Sequence, residues 1–364
     1  MRARRGGLLT GGETVKREGR RPGGIGLILL GLAAGVVVLT AATPLGRYLV
    51  RAAWEEGKIL RAREPIARLV GDSTVDAAVR AKLQLVLEAR QFAVDSLGLP
   101  AEQAFTQYAQ LERDTLLLVL SGAPRDALRP KLWWFPVVGR LPYKGFFDVG
   151  EAERAERALA RDGYDTYLRP ASAFSTLGWF ADPVLSTTLA ADSVDLVNTV
   201  IHELTHNRYF AKGDAVFNES FANFVGARGA ERFFRARGDT ARAQASVDRW
   251  ADDRVLAAYW ARLYRGLDSA FRRLPGDSLK PRRLAARDSA YAEARRTLVD
   301  SIAPQLRTIA PAYAERVRLD NAALLARRIY LTDLERFEQV YDSAGRDVRA
   351  ATDTLIARHR AGRR

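Results

Sequence analysis

The sequence predicts an α+β protein that is mostly helical, with a small mixed β-sheet and an N-terminal transmembrane helix. Apolar residues recur at helical spacing over most of the chain, whereas short aromatic or β-branched runs bounded by Gly and Pro occur between residues 131 and 180. Residues 22–46 contain no charged side chain. The predicted regions are a basic tail at 1–21, a membrane anchor at 22–46, a helical region at 47–130, a core at 131–230 and a C-terminal helical region at 231–364.

The uncharged run at 22–46 predicts the membrane anchor. Residues 25–42 are almost all Leu, Val, Ile, Ala or Gly, and a helix of this length spans about 27 Å, close to the hydrocarbon thickness of a bilayer. The basic tail favours a cytoplasmic N-terminus and an extracytoplasmic, periplasmic-side domain. A cleaved signal peptide is the alternative, because small residues precede Thr43 and Pro44. We expect an uncleaved anchor.

Composition excludes several classes of protein. Hydrophobic residues make up 48% of the chain and charged residues 27%, which is typical of a folded globular protein. The absence of cysteine excludes disulfides, thiolate metal ligands, a cysteine nucleophile and a thioether lipid anchor. The net charge of +14 comes mainly from Arg spread along helical stretches without a nucleic-acid-binding motif. We therefore expect an Arg-rich solvated surface and no nucleic-acid partner.

The remaining elements follow from periodicity and from Gly and Pro breaks. Helical spacing covers residues 48–130, is interrupted at 97–100 and resumes over 105–120. From about residue 230 the chain is again helical, with a turn near Pro275. Strands are predicted at 133–138, 145–147, 164–168 and 173–178, with a helix at 151–161 between the second and the third.

The most informative motif is the run His202-Glu-Leu-Thr-His206. Positions i and i+4 share one face of a helix, so both imidazoles can point at one ion while Glu203 lies beside them. This HExxH pattern is typical of zinc metallopeptidases. Because the chain has only 3 histidines, a chance match is rare. The alternative is a surface helix that carries two histidines without a metal.

A catalytic zinc needs a third protein ligand and one open position for water. Glu219 follows His206 by 13 residues, and the intervening run 212–214 supplies a turn between two helices. Asn223, one turn after Glu219, is placed to hydrogen-bond a ligand histidine. Asp214 is the alternative third ligand, although it suits a helix N-cap better. Otherwise Glu219 is a solvated surface acid.

Exclusions narrow the class of metal site. The only methionine is Met1, so no Met-turn lies beneath the metal, and no third histidine follows at the metzincin spacing. His359 is remote from the motif and lies in a basic C-terminal run that we expect to be frayed. A His-His-Glu site remains, which is gluzincin-like: an HExxH active-site helix followed by a glutamate helix. In such a site Zn²⁺ is the cofactor and Glu203 is the general base.

Seven segments agree in order and spacing with one family, from about residue 48 to the C-terminal helices. They are Phe135-Pro-Val-Val-Gly139, Leu141-Pro-Tyr-Lys-Gly145, Phe174-Ser-Thr-Leu-Gly-Trp179, Asp182-Pro183, His202-Glu-Leu-Thr-His206, Lys212-Gly-Asp214 and Phe217-Asn-Glu-Ser-Phe-Ala222. On these segments the chain resembles the bacterial predicted-aminopeptidase family. The resemblance implies a membrane-associated zinc peptidase with a gluzincin-like core.

Two further expectations accompany this resemblance. The run 320–330 resembles a recurrent family segment, so Tyr330 is a candidate to stabilise the oxyanion of the reaction, with a core or interfacial aromatic as the alternative. Residues 174–179 are expected as an edge strand that receives an extended peptide, or else as an internal strand. The chain departs from the family in lacking a lipoprotein cysteine and in having Trp134 and Arg140 where a cysteine is common nearby.

The predicted function is a zinc-dependent peptidase, an aminopeptidase that acts on peptide or protein substrates outside the cytoplasm. One alternative is an envelope endopeptidase, because no GxMEN-type motif identifies a group that would hold a free amine. The other alternative is a non-catalytic membrane scaffold with a vestigial metal site. A structural zinc site is closed by four protein ligands, and the sequence near the motif offers three.

Overall fold

The computed structural model describes residues 43–111, 117–135, 139–171 and 183–363, together with Gly31 and Gly35. The chain divides into two compact units, Met1–Trp54 and Glu55–Arg364. Helices form most of the described residues, and the strands are short. The α+β, mostly helical part of the predicted fold class is therefore confirmed.

The first half of the chain contains both helices and strands. In order, they are α1 (Pro44–Arg61), β1 (Arg63–Pro65), α2 (Ile66–Gly71), α3 (Ala77–Leu97), β2 (Gln107–Ala109), β3 (Leu117–Pro124), β4 (Trp133–Phe135), β5 (Gly139–Leu141), β6 (Tyr143–Phe146), α4 (Val149–Arg161), β7 (Tyr164–Ala171), β8 (Val184–Leu185) and α5 (Ser186–Leu189).

The second half contains helices and no strand among the described residues. In order, they are α6 (Ser193–Arg208), α7 (Ala215–Ala236), α8 (Thr240–Arg272), a 3₁₀ turn (Asp277–Leu279), α9 (Lys280–Thr297), a π-helical turn (Leu298–Ile302), a second 3₁₀ turn (Ala303–Gln305), α10 (Pro311–Arg316), α11 (Asn321–Tyr330), α12 (Leu334–Ser343) and α13 (Val348–Gly362).

The structure corrects the predicted fold class at the N-terminus. Within the described part of the chain, no helix is both long enough and apolar enough to cross a membrane. The predicted transmembrane helix at 22–46 is therefore not supported, and most of that segment lies outside the described residues. The helix α1, which follows, carries charged residues along its length, including Arg47, Glu55 and Lys58. The extracytoplasmic location inferred from the sequence stays a prediction.

The described strands form three small sheets instead of one. In the first, β2 pairs antiparallel with β1 and parallel with β8. In the second, β3 is the central strand and pairs antiparallel with β6 and with β7. The strands β4 and β5 form a separate antiparallel pair. The second sheet carries α4 on one face, where Leu120, Leu159 and Phe146 pack together.

The helical pattern predicted over 105–120 is wrong, because β2 and the start of β3 occupy it. The run Leu117-Leu-Val-Leu120 is continuously apolar, and such a run does not distinguish a central strand from a buried helix by its period. The other predicted elements in this region are confirmed where they are described: β4 at 133–135, β6 at 143–146, α4 at 149–161 and β7 at 164–171. The strand predicted at 173–178 lies outside the described residues.

The strand β7 runs beside α11 and fixes its position. Asp165 and Arg169 are four residues apart on β7 and share one face of the strand. The carboxylate of Asp165 accepts the backbone N–H of Asn321 at 3.0 Å, at the start of α11. Arg169 lies over the ring of Tyr330, with 5.9 Å between its guanidinium carbon and the ring centroid, at the end of α11. The two contacts together align the helix with the strand.

The largest hydrophobic core surrounds α6, α7 and α8. Its largest fully buried side chains include Ile201, Leu204, Phe221, Phe224 and Trp250. Complete burial of such a side chain stabilises the fold by roughly 1.5–3 kcal/mol. Because this core holds the inner faces of α6 and α7 together, it sets the spacing of the residues on their outer faces.

The C-terminal residues are helical, so the frayed tail predicted at 358–364 is wrong through Gly362. The ring of His359 stacks on Phe217 with 3.7 Å between centroids. Its Nε2 lies 3.2 Å from Oδ2 of Asp214, and its Nδ1 lies 2.9 Å from the hydroxyl of Tyr209. The helix α13 is thereby attached to the turn between α6 and α7.

Candidate metal centre

The helix α6 is defined by a strong N-cap and a buried stripe. The carboxylate of Asp192 accepts the backbone N–H groups of Val194 at 2.9 Å and Asp195 at 3.1 Å, which satisfies two donors that a helix start leaves open. His202 and His206 lie one turn apart on this helix. Neither belongs to its fully buried stripe, so both are available on the outer face.

The turn after α6 reverses the chain. Gly213 has φ +82°, a left-handed conformation that glycine adopts without a steric penalty. Asp214 then caps α7 by accepting the N–H of Phe217 at 3.1 Å. The buried side chain of Asn218 holds the turn from the other side: it accepts the N–H of Ala211 at 2.8 Å and donates to the carbonyl of the same residue at 2.9 Å.

Two glycines allow α7 to lie close against α6. A Cβ on Gly226 would overlap the side-chain oxygen of Asn198, and a Cβ on Gly229 would lie 2.9 Å from a side-chain carbon of Ile201. Real Cβ atoms essentially never approach so closely. The two helices can therefore cross at this distance only because both positions lack a side chain.

This hairpin brings together the two histidines and the glutamate that the sequence singled out. Nε2 of His202 lies 3.3 Å from Oε2 of Glu219, and Nε2 of His206 lies 3.7 Å from Oε1 of the same carboxylate. One donor atom from each residue lies within 4.8 Å of the other two. The side chains of His202, His206 and Glu219 are 14%, 18% and 24% exposed, so the cluster is shielded but remains accessible.

The electrostatic state of the cluster follows from its burial and its charges. Burial opposes protonation of His202, but the hydrogen bond to Glu219 and the charges of Glu203 and Glu219 outweigh it and raise its pKa. Burial, followed by the charge of His202, lowers the pKa of His206 to about 4. For Glu219, the effect of burial is outweighed by the hydrogen bond and the charge from His202, so its pKa is lowered. The carboxylate is thus ionised and one imidazole is neutral, as metal ligands must be.

The donor set fits a tetrahedral zinc ion. Zinc binds histidine nitrogen and carboxylate oxygen at about 2.0–2.2 Å, which places neighbouring ligand atoms of a tetrahedron about 3.3–3.6 Å apart. The separations of the two imidazoles from the Glu219 carboxylate, 3.3 Å to Oε2 for His202 and 3.7 Å to Oε1 for His206, lie close to this range, although they end on different oxygens of the carboxylate. Among the described residues the cluster has three protein donors, which leaves a fourth position for water or substrate.

Glu203 lies next to this cluster on α6. Its side chain is half-buried, and it is close enough to His202 for its charge to raise the pKa of that histidine. A carboxylate in this position can accept a proton from a water molecule that lies between it and the donor cluster.

Two predicted neighbours of the cluster have other partners. The amide of Asn223 donates to Oδ2 of Asp253 at 3.3 Å and to the carbonyl of Tyr330 at 3.5 Å, and neither acceptor is a candidate ligand. In the part of the chain that the structure describes, Nδ1 of His206 has no hydrogen-bond partner. Asp214 is the N-cap of α7 and bonds His359. It therefore does not replace Glu219 as the third donor.

Tyr330 lies at the edge of the cluster, together with two residues that the sequence did not single out. Burial, and next the charge of Glu219, raise the pKa of Tyr330 to about 12. Loss of hydration and the same carboxylate raise the pKa of Tyr143, while Arg169 opposes both shifts. Tyr143 and Arg169 come from β6 and β7, far from the motif in sequence. Two signals in the sequence could have indicated that they lie near the site: Tyr143 belongs to a segment that resembles the family, and Arg169 shares a face of β7 with Asp165.

Comparison with known proteins identifies one family. Residues 47–361 match a family model described as "Putative aminopeptidase". No curated protein and no solved structure matches the chain. The match covers far more than half of the 364 residues, and it includes every element that contributes to the donor cluster. The chain belongs to the putative aminopeptidase family.

Proposed function

We propose that this protein is a zinc-dependent peptidase that holds its metal with His202, His206 and Glu219. The observation that carries the proposal is the convergence of three donor atoms within 4.8 Å of one another on adjacent helices, beside the carboxylate of Glu203. The family match independently supports peptidase activity.

The chemistry that we propose is hydrolysis of an amide bond. Zinc in such a site supplies Lewis-acid chemistry, which makes water more acidic and polarises the scissile carbonyl. The carboxylate of Glu203 accepts the proton of the attacking water and later returns it to the leaving nitrogen. His202, His206 and Glu219 would hold the metal ion in place, and they transfer no proton.

The negative charge that develops on the substrate oxygen needs donors from the protein. The hydroxyl of Tyr330 suits this role because it is protonated at neutral pH and lies close enough to the donor cluster for the charge of Glu219 to act on it. Arg169 lies over the Tyr330 ring and contributes a permanent positive charge beside it. We assign Tyr330 as the donor and Arg169 as the residue that positions it.

The sequence leaves two alternative functions open, a non-catalytic scaffold and an endopeptidase. A scaffold with a structural metal would have four protein ligands, whereas the cluster among the described residues has three. That observation favours a catalytic site. Aminopeptidase and endopeptidase action use the same metal chemistry, so the donor cluster favours neither. Peptides and proteins are the proposed substrates in both cases.

Replacement of Glu203 tests the proposal. Glu203→Gln should bind zinc as the unaltered protein does, because its side chain is not a ligand, and should hydrolyse peptides about 10²–10⁴-fold more slowly. The exposed Glu335→Gln on α12 is the matched control and should retain full activity. Full activity of Glu203→Gln would refute the general-base assignment, and an unaltered protein that hydrolyses no peptide with zinc bound would refute the function.

A further inference from the structure

One carboxylate near the site pairs with no basic side chain in the part of the chain that the structure describes. Asp253 lies on α8, and its side chain is half-buried. Its Oδ2 accepts the amide N–H of Asn223 at 3.3 Å. The charges of two neighbouring acidic residues, Asp252 and Asp195, act on it and raise its pKa. Among the described residues, no Lys or Arg forms an ion pair with Asp253.

The neighbouring charges are all engaged elsewhere. Arg249, one turn earlier on α8, bonds Asp192 at 2.6 Å and Asp195 at 2.5 Å. Arg254, the next residue in the chain, bonds Glu335 at 2.6 Å. Asp252 accepts the backbone N–H groups of residues 307 and 308, both at 2.8 Å. In this arrangement neither Arg249 nor Arg254 pairs with Asp253.

Asp253 adjoins the face that carries the metal donors. Its partner Asn223 lies one turn beyond Glu219 on α7, and the same amide bonds the carbonyl of Tyr330 at 3.5 Å. On α6, Asp195 precedes His202 by seven residues, which is two helical turns and therefore the same face. Since Asp253 is close to both Asn223 and Asp195, it lies beside the face of α6 and α7 that carries the donor cluster.

A half-buried carboxylate without a counter-charge is costly. Burial is the largest cause, and the two neighbouring aspartates add to it, so the pKa of Asp253 is raised to about 6. In a chain with a net charge of +14 and 57 Lys and Arg residues, a basic partner would be easy to supply. The missing partner is therefore most simply a cation that arrives with the substrate.

We infer that Asp253 binds an ammonium group of the peptide substrate, either the free α-amine or a lysine side chain. This inference rests on the proposed peptidase function, which it refines by naming a specificity-determining residue. The amide oxygen of Asn223 supplies a second acceptor for the same ammonium group, because its bonds among the described residues are made by its nitrogen. Each residue of an extended peptide spans about 3.3–3.6 Å. The distance between Asp253 and the metal position therefore determines which substrate residue can carry the ammonium group.

Binding experiments on a hydrolysis-deficient protein test this directly. The parent is zinc-loaded Glu203→Gln, and calorimetry measures its affinity for three apolar tetrapeptide amides. The first has a free α-amine, the second is N-acetylated, and the third is N-acetylated with lysine as its first residue. The parent should bind at least one ammonium-bearing peptide more tightly than the neutral one, and the peptide that gains identifies the source of the ammonium.

Adding Asp253→Asn should weaken that gain by about ten- to a hundredfold, the effect of losing a charge-assisted hydrogen bond, and should leave the neutral peptide and the zinc content unchanged. The asparagine oxygen still accepts the Asn223 amide, so the fold should persist. Asp268→Asn, on the same helix and paired with Arg272 at 2.9 Å, is the control for net charge. The inference is overturned if Asp253→Asn binds all three peptides like the parent, or if the parent prefers no ammonium peptide.

The two hypotheses fail in different ways. If the protein with Glu203 intact hydrolyses nothing, but the Asp253-dependent binding preference persists, the peptidase function is lost and the subsite stands. If hydrolysis proceeds equally well on the free, the acetylated and the lysine-bearing peptide, with and without Asp253, the function stands and the subsite is lost.

Discussion

The carboxylate of Glu219 lies 3.3 Å from Nε2 of His202, although the two residues are 17 positions apart in the chain. The turn between α6 and α7 creates this proximity. Asn218, the residue before Glu219, holds that turn through two hydrogen bonds to the backbone of Ala211. The position of Glu219 in the donor cluster thus depends on a residue that lies outside the cluster.

Asn218→Ala should therefore weaken both the fold and the metal site. The change leaves the buried N–H of Ala211 without a partner, whereas the carbonyl of Ala211 still accepts the backbone N–H of Asp214 at 3.1 Å. The loss costs about 1–3 kcal/mol of unfolding free energy. Because Glu219 is the next residue, zinc affinity should fall about tenfold or more. Denaturant unfolding and competition with a zinc chelator measure the two effects.

Asn207→Ala is the matched control for this prediction. Asn207 is exposed and makes a single hydrogen bond of 3.2 Å to the carbonyl of Pro100, so its removal should change stability and zinc affinity little. Equal behaviour of the two variants would show that the Asn218 contact does not position Glu219.

Tyr330→Phe should lower kcat about a hundredfold without changing zinc content, since it removes one donor to the developing oxyanion. The phenyl ring still packs against Arg169, so the site should keep its shape. Peptide hydrolysis under saturating substrate is the measurement. Tyr313→Phe, at an exposed position on α10, should leave kcat unchanged. An unchanged kcat in Tyr330→Phe would move the donor role away from this residue.

The sequence was sufficient for the α6–α7 hairpin because its signals are local. Asp192 and Asp214 are N-caps, Gly213 provides a turn, and the two histidines are one helical turn apart. The residues from other elements that lie around the cluster could not be predicted from local signals. Tyr143, Arg169 and Asp253 come from β6, β7 and α8, and their approach depends on long-range packing that no local period encodes.

Where the sequence-based predictions are wrong, the cause is again packing between residues that are distant in the sequence. The apolar run of β3 was interpreted as helical because a central strand has no alternation of polarity. The basic composition of the C-terminal residues predicts a frayed end, yet His359 contacts Asp214 and Phe217. These two residues precede His359 by 145 and 142 positions in the sequence. The contact of Asn223 with Asp253 similarly replaces the predicted bond to a histidine.

A buried ion pair predicts a further effect on stability. Glu338 on α12 pairs with Arg228, and it accepts the indole N–H of Trp250 at 2.8 Å. Glu338→Ala leaves the buried indole N–H of Trp250 without a partner and the buried guanidinium of Arg228 with Glu231 as its remaining carboxylate, at 2.7 Å. The change should therefore cost about 2–4 kcal/mol of unfolding free energy. Denaturant titration measures this loss.

The control lies on the same helix. Glu335 pairs with Arg254 at 2.6 Å but its side chain is 63% exposed, so Glu335→Ala should cost no more than about 1 kcal/mol. Similar losses for Glu335→Ala and Glu338→Ala would mean that the buried pair contributes no more to the fold than a surface pair.

The location of the bound metal tests the central claim most directly. Crystals of the purified protein, measured on both sides of the zinc absorption edge, should show one anomalous peak at about 2.0–2.2 Å from Nε2 of His202, Nε2 of His206 and a carboxylate oxygen of Glu219. Crystals of Glu219→Ala prepared in the same way should show a weakened peak or none. A zinc peak elsewhere, a full-strength peak in Glu219→Ala, or no bound metal in the unaltered protein would contradict the proposed site.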